Sequence, residues 1–428
     1  MKKAKEFVKN KWIVAAMILV IISIVFRIIG ISFKSFEYDT IVTQNTWAES
    51  AISMGLNNFW SNYSWSVDYL PGAIVFDVII KFIANIFNSS PQAFVVTIKI
   101  FNNLIDLIFS LAIYWIMITR LDVKKDKSFF YSALFFISPA ALYVSGYWGQ
   151  FDSLIVMLVF ISIYLMVFEI KYADHFVLSG MVYALALSLK LQPAVYLPFI
   201  MIFLIVTYKF NALLKYLGGF LVVITAINIP PIIISPLRTV WVFIQPFIRG
   251  GSISRGANTF WGLFSQLNNK ADSLINLRFI QISVSTCGII IFLILLGVIL
   301  VRVYRMGITK AGDRTKFLLI IYFIAGLNLI YYMFMMEMHS RYAQFTAIFI
   351  FFLVAFIKKG ISRILVWTSG ILFSVSYTLN QISVHYWWYR DAFPVFWQYI
   401  FQTAWLTPVL IFTNLAFLII FIFKFKIN

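Results

Sequence analysis

The sequence has 428 residues, of which 62% are hydrophobic and only 12% are charged. Soluble globular proteins carry roughly a quarter of charged residues, so this composition excludes a soluble globule and indicates a polytopic membrane protein. Hydrocarbon offers no partners for backbone amides, and the apolar runs reach about 17 to 25 residues, so the spans are expected to be helices rather than barrel strands. The single cysteine, Cys287, excludes an intramolecular disulfide.

The net charge of +18 is distributed unevenly along the chain, and this distribution indicates the membrane topology. With the loops assigned as below, 22 of the 34 Lys and Arg residues fall on one side of the membrane. Such a bias marks the cytoplasmic side, and it places both termini there. The basic residues therefore predict contact with anionic membrane lipid, and no nucleic-acid partner is expected.

The chain begins with one apolar helix, residues 12–31, which is kept as an anchor because no small-residue cleavage site follows it. If both of the next two apolar runs crossed the bilayer, the basic run 120–127 would lie outside. Residues 71–87, which carry Asp77 and Lys81 on one face, are therefore predicted to form an interfacial helix on the outer leaflet. The first extracytoplasmic loop then covers about residues 32–91.

The remainder predicts an all-α bundle of about twelve transmembrane helices in one integral membrane domain, residues 1–428, with no separate soluble domain. A break is expected at Lys190-Leu191-Gln192-Pro193, because irregular backbone is tolerated at membrane depth only beside protein or a watery cavity. The second and third extracytoplasmic loops are placed at about 236–277 and 381–403. The spans after the first helix are expected at 93–119, 128–145, 151–169, 176–190, 193–208, 216–235, 278–301, 316–336, 342–357, 363–380 and 404–423.

Polar residues collect in the outer loops and helix ends. Residues 147–153, which contain Gln150 and Asp152, form either a tight turn with a solvated acid or part of a site. Lys99, Asn103 and Asp106 share one helix face, and either structural ion pairing or substrate contact explains them.

Two further outer segments carry cations or aromatic residues. Arg341 suits a lipid-linked phosphate, although snorkelling to headgroups is the alternative, and the same alternatives apply to Lys190. His339 alone is more typical of a structural histidine than of a base. The aromatic residues from His385 to Tyr399 are interpreted as an interfacial belt rather than a sugar-stacking platform.

Several familiar catalytic motifs are missing from the sequence. It has no phosphate-binding glycine loop followed by Lys and Ser or Thr, no His-Glu-x-x-His, no paired cysteines and no Gly-x-Ser-x-Gly. No metal site and no cofactor are expected.

The order of the outer motifs resembles the GT-C superfamily of membrane glycosyltransferases, in particular bacterial proteins related to the GPI mannosyltransferases. The likeness extends over most of the chain. It departs from the family at Ser340, where an acid is common, and at Lys190-Leu191-Gln192-Pro193, where Lys-Pro-Gln is usual. The motifs that carry it are Glu37-Tyr38-Asp39, Trp47-Ala48, Gly55, Tyr69-Leu70-Pro71, Trp148-Gly149-Gln150-Phe151-Asp152-Ser153, Leu189-Lys190-Leu191-Gln192-Pro193, Asn258-Thr259-Phe260-Trp261 and Met338-His339-Ser340-Arg341-Tyr342.

The resemblance implies transfer of a hexose, mannose-like or glucose-like, from a polyprenyl-phosphate donor to a glycan, glycolipid or polymer acceptor of the envelope. It implies an inverting reaction on the outer face of the bacterial cytoplasmic membrane, with Asp39 as general base. Arg341, Lys190 and His339 would bind the donor phosphate. The substrate-positioning residues would be Glu37, Trp47, Gln150, Asp152 and Gln192. Asp39, Asp152, Lys190 and Arg341 are expected to line one cavity.

Two other functions stay open on the sequence alone. A transporter or flippase of lipid-linked saccharides would also be polytopic, but it would usually place its site near the bilayer midplane between repeated halves. A non-enzymatic protein of envelope polysaccharide assembly is the other alternative, because each motif is weak when taken alone.

Overall fold

The computed structural model describes residues 2–33, 38–62, 67, 69–171, 173–248, 251–264, 270–277, 280–390, 395–403 and 405–427. The chain is all-α, with 81% of its residues helical. The α-helices are α1 (Lys2–Ser32), α2 (Thr46–Met54), α3 (Leu56–Ser61), α4 (Pro71–Phe87), α5 (Pro91–Thr119), α6 (Lys125–Phe136), α7 (Pro139–Ala141), α8 (Asp152–Val167), α9 (His175–Leu189), α10 (Leu197–Ile234), α11 (Pro236–Ile248), α12 (Val284–Arg305), α13 (Asp313–Phe334), α14 (Gln344–Leu353), α15 (Ile361–Trp388), α16 (Val395–Gln402) and α17 (Leu406–Lys424).

Short irregular elements join these helices. Among the described residues, Tyr38–Asn45 and Leu142–Trp148 are π-helical, and Gln192–Val195, Phe260–Leu263 and Val354–Phe356 are 3₁₀-helical. The strands are β1 (Ser254–Arg255), β2 (Leu274–Leu277), β3 (Ile280–Ser283) and β4 (Met338–His339). Strand β1 pairs in parallel with β4, and β2 pairs antiparallel with β3.

Six helices in the described part of the chain are long and apolar enough to cross a membrane, which supports a membrane protein but does not confirm the expected count of twelve. Four further apolar helical stretches, among them the part of α1 from Ala16 to Ser32, comprise 10–17 described residues, fewer than the roughly 20 that a bilayer requires. The six are Pro91–Thr119, Lys125–Trp148, Leu197–Ile234, Val284–Arg305, Asp313–Phe334 and Leu406–Lys424.

The structure confirms two of the predicted helix interruptions. Helix α9 ends at Leu189 and α10 begins at Leu197, with the Gln192–Val195 turn between them. Within α10, Lys209 has φ 72° and ψ 170°, so two helical halves meet there, at the end of the predicted span 193–208. Within the predicted third loop, α15 continues to Trp388 and α16 occupies Val395–Gln402. The extracytoplasmic position of this loop stays a prediction.

Helix α4 has the predicted bounds, and its two charged residues face the protein. Lys81 Nζ donates to Glu49 Oε1 at 2.7 Å and to Asn45 Oδ1 at 3.0 Å. Asp77 is fully buried, and burial raises the pKa of its carboxyl well above the usual value. Phe82 and Ile86 are exposed on the other face. An apolar outer face suits a helix in contact with lipid, and its interfacial position stays a prediction.

Helix α13 is the centre of the bundle, since 94% of its apolar window is buried, against 22% for α10 and for α12. Its Phe317 packs against Phe160 of α8 and Phe352 of α14, with ring centroids 5.3 and 6.1 Å apart. Helices α10 and α12 leave most of their apolar side chains at least partly exposed at the periphery. Helix α13 therefore runs through the packed core from one end of the bundle to the other.

Helices α1 and α5 are joined by buried charges. Arg27 Nη1 lies 2.6 Å from Asp106 Oδ2, and Arg27 also donates to Asn103 Oδ1. Lys99 Nζ donates to the carbonyls of Gly30 and Phe33 at 3.0 and 2.7 Å, and so satisfies the C-terminal end of α1. The structural interpretation of this helix face is confirmed, but the ion pair forms with Arg27 rather than with Lys99.

Candidate functional site

The candidate site lies where α13 ends and α14 begins. Four segments that are distant in sequence meet there: the π-helical segment Tyr38–Asn45, the turn 149–152, the helix break at 190–193 and the connection 337–342. Each segment interrupts regular helix, so its side chains are free to converge on one point. These are four of the motifs that the sequence singled out.

Four charged side chains form one connected series. Arg341 Nη1 lies 3.1 Å from Asp39 Oδ2, and Arg341 Nε lies 3.9 Å from Asp152 Oδ2. Asp152 Oδ1 in turn accepts a hydrogen bond from Lys190 Nζ at 2.6 Å. The order is therefore Asp39, Arg341, Asp152, Lys190, with each cation next to a carboxylate.

Burial differs sharply along this series. The side chain of Asp152 is 2% exposed and that of Arg341 is 7% exposed, whereas the side chain of Asp39 is 39% exposed. The solvated-acid interpretation of Asp152 is therefore wrong. Asp152 occupies the first turn of α8, where the helix dipole also favours a negative charge.

The two π-helical segments meet at Asp39. Trp148 Nε1 donates to Asp39 Oδ2 at 3.1 Å, and Thr40 Oγ1 donates to the Trp148 carbonyl at 3.4 Å. π-helical turns are rare and frequently occur at functional sites. Gly149 follows with φ +80°, a left-handed conformation that favours glycine. The hydrogen bonds to Asp39 from Trp148 and from Arg341 are both accepted by Oδ2.

A wall of aromatic residues holds Arg341 and Trp148 in place. The guanidinium carbon of Arg341 lies 4.9 Å from the centroid of the Trp148 ring, within the range of a cation–π contact. Tyr377 donates to the Arg341 carbonyl at 2.7 Å. His385 packs edge to face against Trp148, and its Nδ1 is hydrogen bonded to Tyr143 Oη at 2.7 Å.

His385 therefore belongs to the wall of the site, and its interpretation as part of an interfacial belt is wrong. The residue is only 4% exposed, and burial lowers the pKa of its imidazole to about 3. A neutral ring packs against Trp148 without adding charge beside Arg341. Tyr377 and the Tyr143–His385 pair were not identified as site residues from the sequence. In the sequence they resemble the other aromatic and polar residues of apolar helices.

A cavity of about 310 Å³ adjoins the charged series. Lys190 and Arg341 contribute to its lining, but Asp39 and Asp152 do not, so the expectation that all four line one cavity is wrong. The two acids contact the cations from outside the lining. The lining residues are Tyr69, Leu70, Leu189, Lys190, Leu191, Gln192, Ala194, Val195, Arg255, Tyr331, Met336, Glu337, Met338, His339, Arg341 and Tyr342.

Three buried nitrogen atoms around this cavity make no hydrogen bond to the described residues: Arg341 Nε, Gln192 Nε2 and Gln150 Nε2. Buried polar groups are normally paired, so such atoms call for a ligand or solvent partner. Gln150 instead uses its Oε1 to accept from Tyr69 Oη at 3.4 Å. Tyr69 also accepts from Arg341 Nη2 at 3.5 Å and packs edge to face with Trp47.

The two basic side chains Lys190 and His339 in the cavity wall differ in how burial changes their protonation. Burial lowers the pKa of Lys190 to about 8, against the opposing effect of the Asp152 carboxylate. Burial and the nearby cations lower the pKa of His339 well below its usual value. A neutral His339 offers a hydrogen bond but no charge. The role of His339 in phosphate binding stays a prediction.

The segment 251–255, which ends in strand β1, closes one side of the cavity. Glu337 accepts hydrogen bonds from the backbone N–H groups of Ser252 at 2.7 Å and Gly251 at 3.3 Å, and it pairs with Arg255. Strand β1 is thereby held beside β4, where Arg255 is in register with His339. Glu337 itself has φ +60°, which is a strained conformation for a non-glycine residue. Residues strained in this way cluster at functional sites.

Two residues discussed in the sequence analysis, Glu37 and Ser340, make no described contact with the charged series. Glu37 lies outside the described residues, and its positioning role stays a prediction. The hydroxyl of Ser340 is buried without a hydrogen-bond partner among the described residues. Glu337 lies in the same segment, but its described partners belong to the second outer loop rather than to the charged series.

The fold and the site define the class of this protein only broadly. It is an all-α protein with several helices long and apolar enough to span a membrane, and with a charged cluster beside a cavity at one end. No known protein-family model matches the chain, and no curated protein matches it. Among the described residues, no three or more His, Cys, Asp or Glu side chains are grouped to hold a metal ion.

Proposed function

We propose that this protein is a membrane glycosyltransferase of the GT-C type. It would transfer a hexose, mannose-like or glucose-like, from a polyprenyl-phosphate donor to an envelope acceptor on the extracytoplasmic face. The observation that carries the proposal is the series Asp39, Arg341, Asp152 and Lys190, drawn from four distant segments and placed beside a cavity of about 310 Å³.

The chemistry of such a donor matches the residues available. A sugar on polyprenyl phosphate already carries a good leaving group, so no acid is needed to expel it. The reaction needs positive charge where the phosphate charge develops, and a base for the acceptor hydroxyl. Lys190 and Arg341 line the cavity, and Gln192 adds an unpaired N–H donor there.

Arg341 joins the two halves of the proposed site. It lines the cavity that would hold the phosphate, and it contacts Asp39, which lies outside that lining. A phosphate in the cavity would compete with the carboxylates for Arg341 and Lys190. Release of Asp39 from Arg341 would then leave a carboxylate beside the reacting centre.

In the proposed step, Asp39 takes the proton of the acceptor hydroxyl. The acceptor oxygen forms a bond to the anomeric carbon from the face opposite the phosphate. The bond between the anomeric carbon and the phosphate oxygen breaks, and its electron pair leaves with the polyprenyl phosphate. The configuration at the anomeric carbon is inverted.

The test is a transfer assay with purified protein, labelled polyprenyl-phosphate hexoses and a cell-envelope extract as acceptor source. We expect labelled product from the unaltered protein and roughly a hundredfold less from Asp39→Asn. A matched control is Asp313→Asn, because Asp313 is an exposed acid paired with Lys316 at the opposite end of α13. Normal transfer by Asp39→Asn at equal membrane abundance would refute the assigned base. Movement of intact donor lipid between leaflets without transfer would favour a flippase.

A further inference from the structure

A second and larger cavity, of about 850 Å³, lies between α12, α13 and α17. It is lined by Thr315 near the start of α13, whereas the candidate site is lined by Tyr331 near its end. The sixteen residue steps from Thr315 to Tyr331 correspond to roughly 24 Å of helix. The cavity therefore lies at the opposite end of the bundle and forms no part of the proposed active site.

The wall of this groove is apolar and open to the side. Ile294, Val301 and Phe423 line it and are 60%, 51% and 52% exposed. Gly297 stands between them on α12, and a Cβ added there would meet nothing within 4 Å. Exposed apolar side chains on a helix of high hydropathy face hydrocarbon, so the groove opens toward lipid tails.

The mouth of the groove is basic. Arg302, Arg305 and Lys426 contribute to the lining, and none of its described residues is acidic. Arg305 and Lys426 are exposed. Arg302 is partly buried, and its Nε makes no hydrogen bond to the described residues. A positive mouth above an apolar groove is the pattern of a lipid with an anionic headgroup.

The mouth is held in shape by the C-terminal segment. Arg302 Nη2 donates to the carbonyls of Phe423 and Phe425 at 3.0 and 2.6 Å. Phe425 stacks on Tyr322 with ring centroids 4.2 Å apart. The backbone N–H of Lys358 donates to the Lys426 carbonyl at 2.9 Å, next to the Ile357–Ile427 bridge. These contacts fix the backbone that carries Lys426 before any ligand binds.

We propose that this groove binds an anionic glycerophospholipid. Its phosphate would contact Arg305 and Lys426, with Arg302 Nε as a further donor. One acyl chain would lie on α12 from Val301 to Ile294. A cavity of about 850 Å³ falls in the range of about 300–1,000 Å³ that is typical of ligand sites. The positive-inside bias of the sequence predicts that this end of the bundle faces the cytoplasm, where anionic lipids concentrate.

The test is native mass spectrometry of the purified full-length protein, titrated with phosphatidylglycerol and with phosphatidylcholine of the same acyl chains. We expect tighter binding of phosphatidylglycerol. Arg305→Gln and Lys426→Gln should each weaken it roughly fivefold. Gly297→Phe should weaken the binding of both lipids by filling the groove, and open space around Gly297 lets the variant fold. Lys310→Gln and Lys359→Gln are matched controls, because both lysines are exposed at this end but lie outside the lining.

Three results would overturn the proposal. Equal affinity for the two lipids would remove the role of the headgroup charge. A loss of binding in the Lys310 or Lys359 control as large as in the groove variants would indicate diffuse surface charge. Competition by glycerol phosphate as strong as that of phosphatidylglycerol would mean that the site binds a soluble anion rather than a lipid.

Discussion

Arg341 Nη1 lies 3.1 Å from Asp39 Oδ2, although the two residues are 302 positions apart in the chain. The same guanidinium lies 3.9 Å from Asp152 and faces the ring of Trp148. One arginine therefore connects the π-helical segment Tyr38–Asn45, the start of α8 and the segment before α14.

Substitution of Arg341 tests this arrangement. Arg341→Ala should lower kcat/KM for transfer about a hundredfold or more, because a preorganised positive charge is lost. Arg341→Lys should recover part of that loss, since it restores charge without the planar pair of donors. The measurement is the transfer assay with thermal unfolding in detergent as a parallel readout. Arg238→Ala, which removes a cation bonded to the Ser61 carbonyl, is the matched control. Unchanged kcat/KM in Arg341→Ala would contradict the assignment.

Deprotonation of Lys190 should weaken donor binding at alkaline pH. Its pKa is lowered from the usual value to about 8, so it is charged below that pH and loses its proton as the pH rises through it. The KM for the donor should therefore rise above about pH 8, while the KM for the acceptor should change less. Lys190→Arg should keep its charge and hold the donor KM nearly constant across the same interval. A donor KM of the unaltered protein that stays flat to about pH 10 would rule out this role.

The buried pair of Arg27 and Asp106 predicts a stability effect. The side chains are 4% and 0% exposed and lie 2.6 Å apart. Arg27→Met should destabilise the protein by about 3–5 kcal/mol, because it leaves a buried carboxylate without its partner. The double variant Arg27→Met with Asp106→Leu should recover most of this loss. Thermal unfolding in detergent measures both. A double variant no more stable than Arg27→Met would show that the unpaired charge is not the cause.

Two neighbouring glycines should behave in opposite ways. A Cβ on Gly219 would lie 2.0 Å from the Val177 carbonyl oxygen, whereas one on Gly218 would meet nothing within 4 Å. Gly219→Ala should lower stability by about 1–3 kcal/mol, because α9 and α10 must separate. Gly218→Ala should be neutral or stabilising by up to about 1 kcal/mol, owing to its better helix propensity. Equal unfolding temperatures for the two variants would contradict the close packing of α9 on α10.

Part of the candidate site could be predicted from sequence. Burying a charged side chain in a bilayer costs free energy, so the few charged residues between the apolar segments are easily recognised. Asp39, Asp152, Lys190 and Arg341 were found in this way, and the structure brings them together. The geometry among them was not predictable. The sequence left open whether Asp152 is a solvated turn residue or part of a site. It is buried, because the packing of α8 against α9 places it beside Lys190. His385 looked like part of an aromatic belt, yet α15 extends to Trp388 and turns it inward.

The sequence by itself determined that the chain is helical and apolar, and where several of its helices break. Composition and the positions of proline and charge act locally, so helix α4 and the interruptions near Lys190 and Lys209 follow from a few neighbouring residues. The tertiary structure alone decided which charges pair. Asp106 meets Arg27 rather than Lys99, and Arg341 meets Asp39, because partner choice depends on which helix faces pack together across hundreds of residues. The groove between α12, α13 and α17 also exists only in the packed bundle.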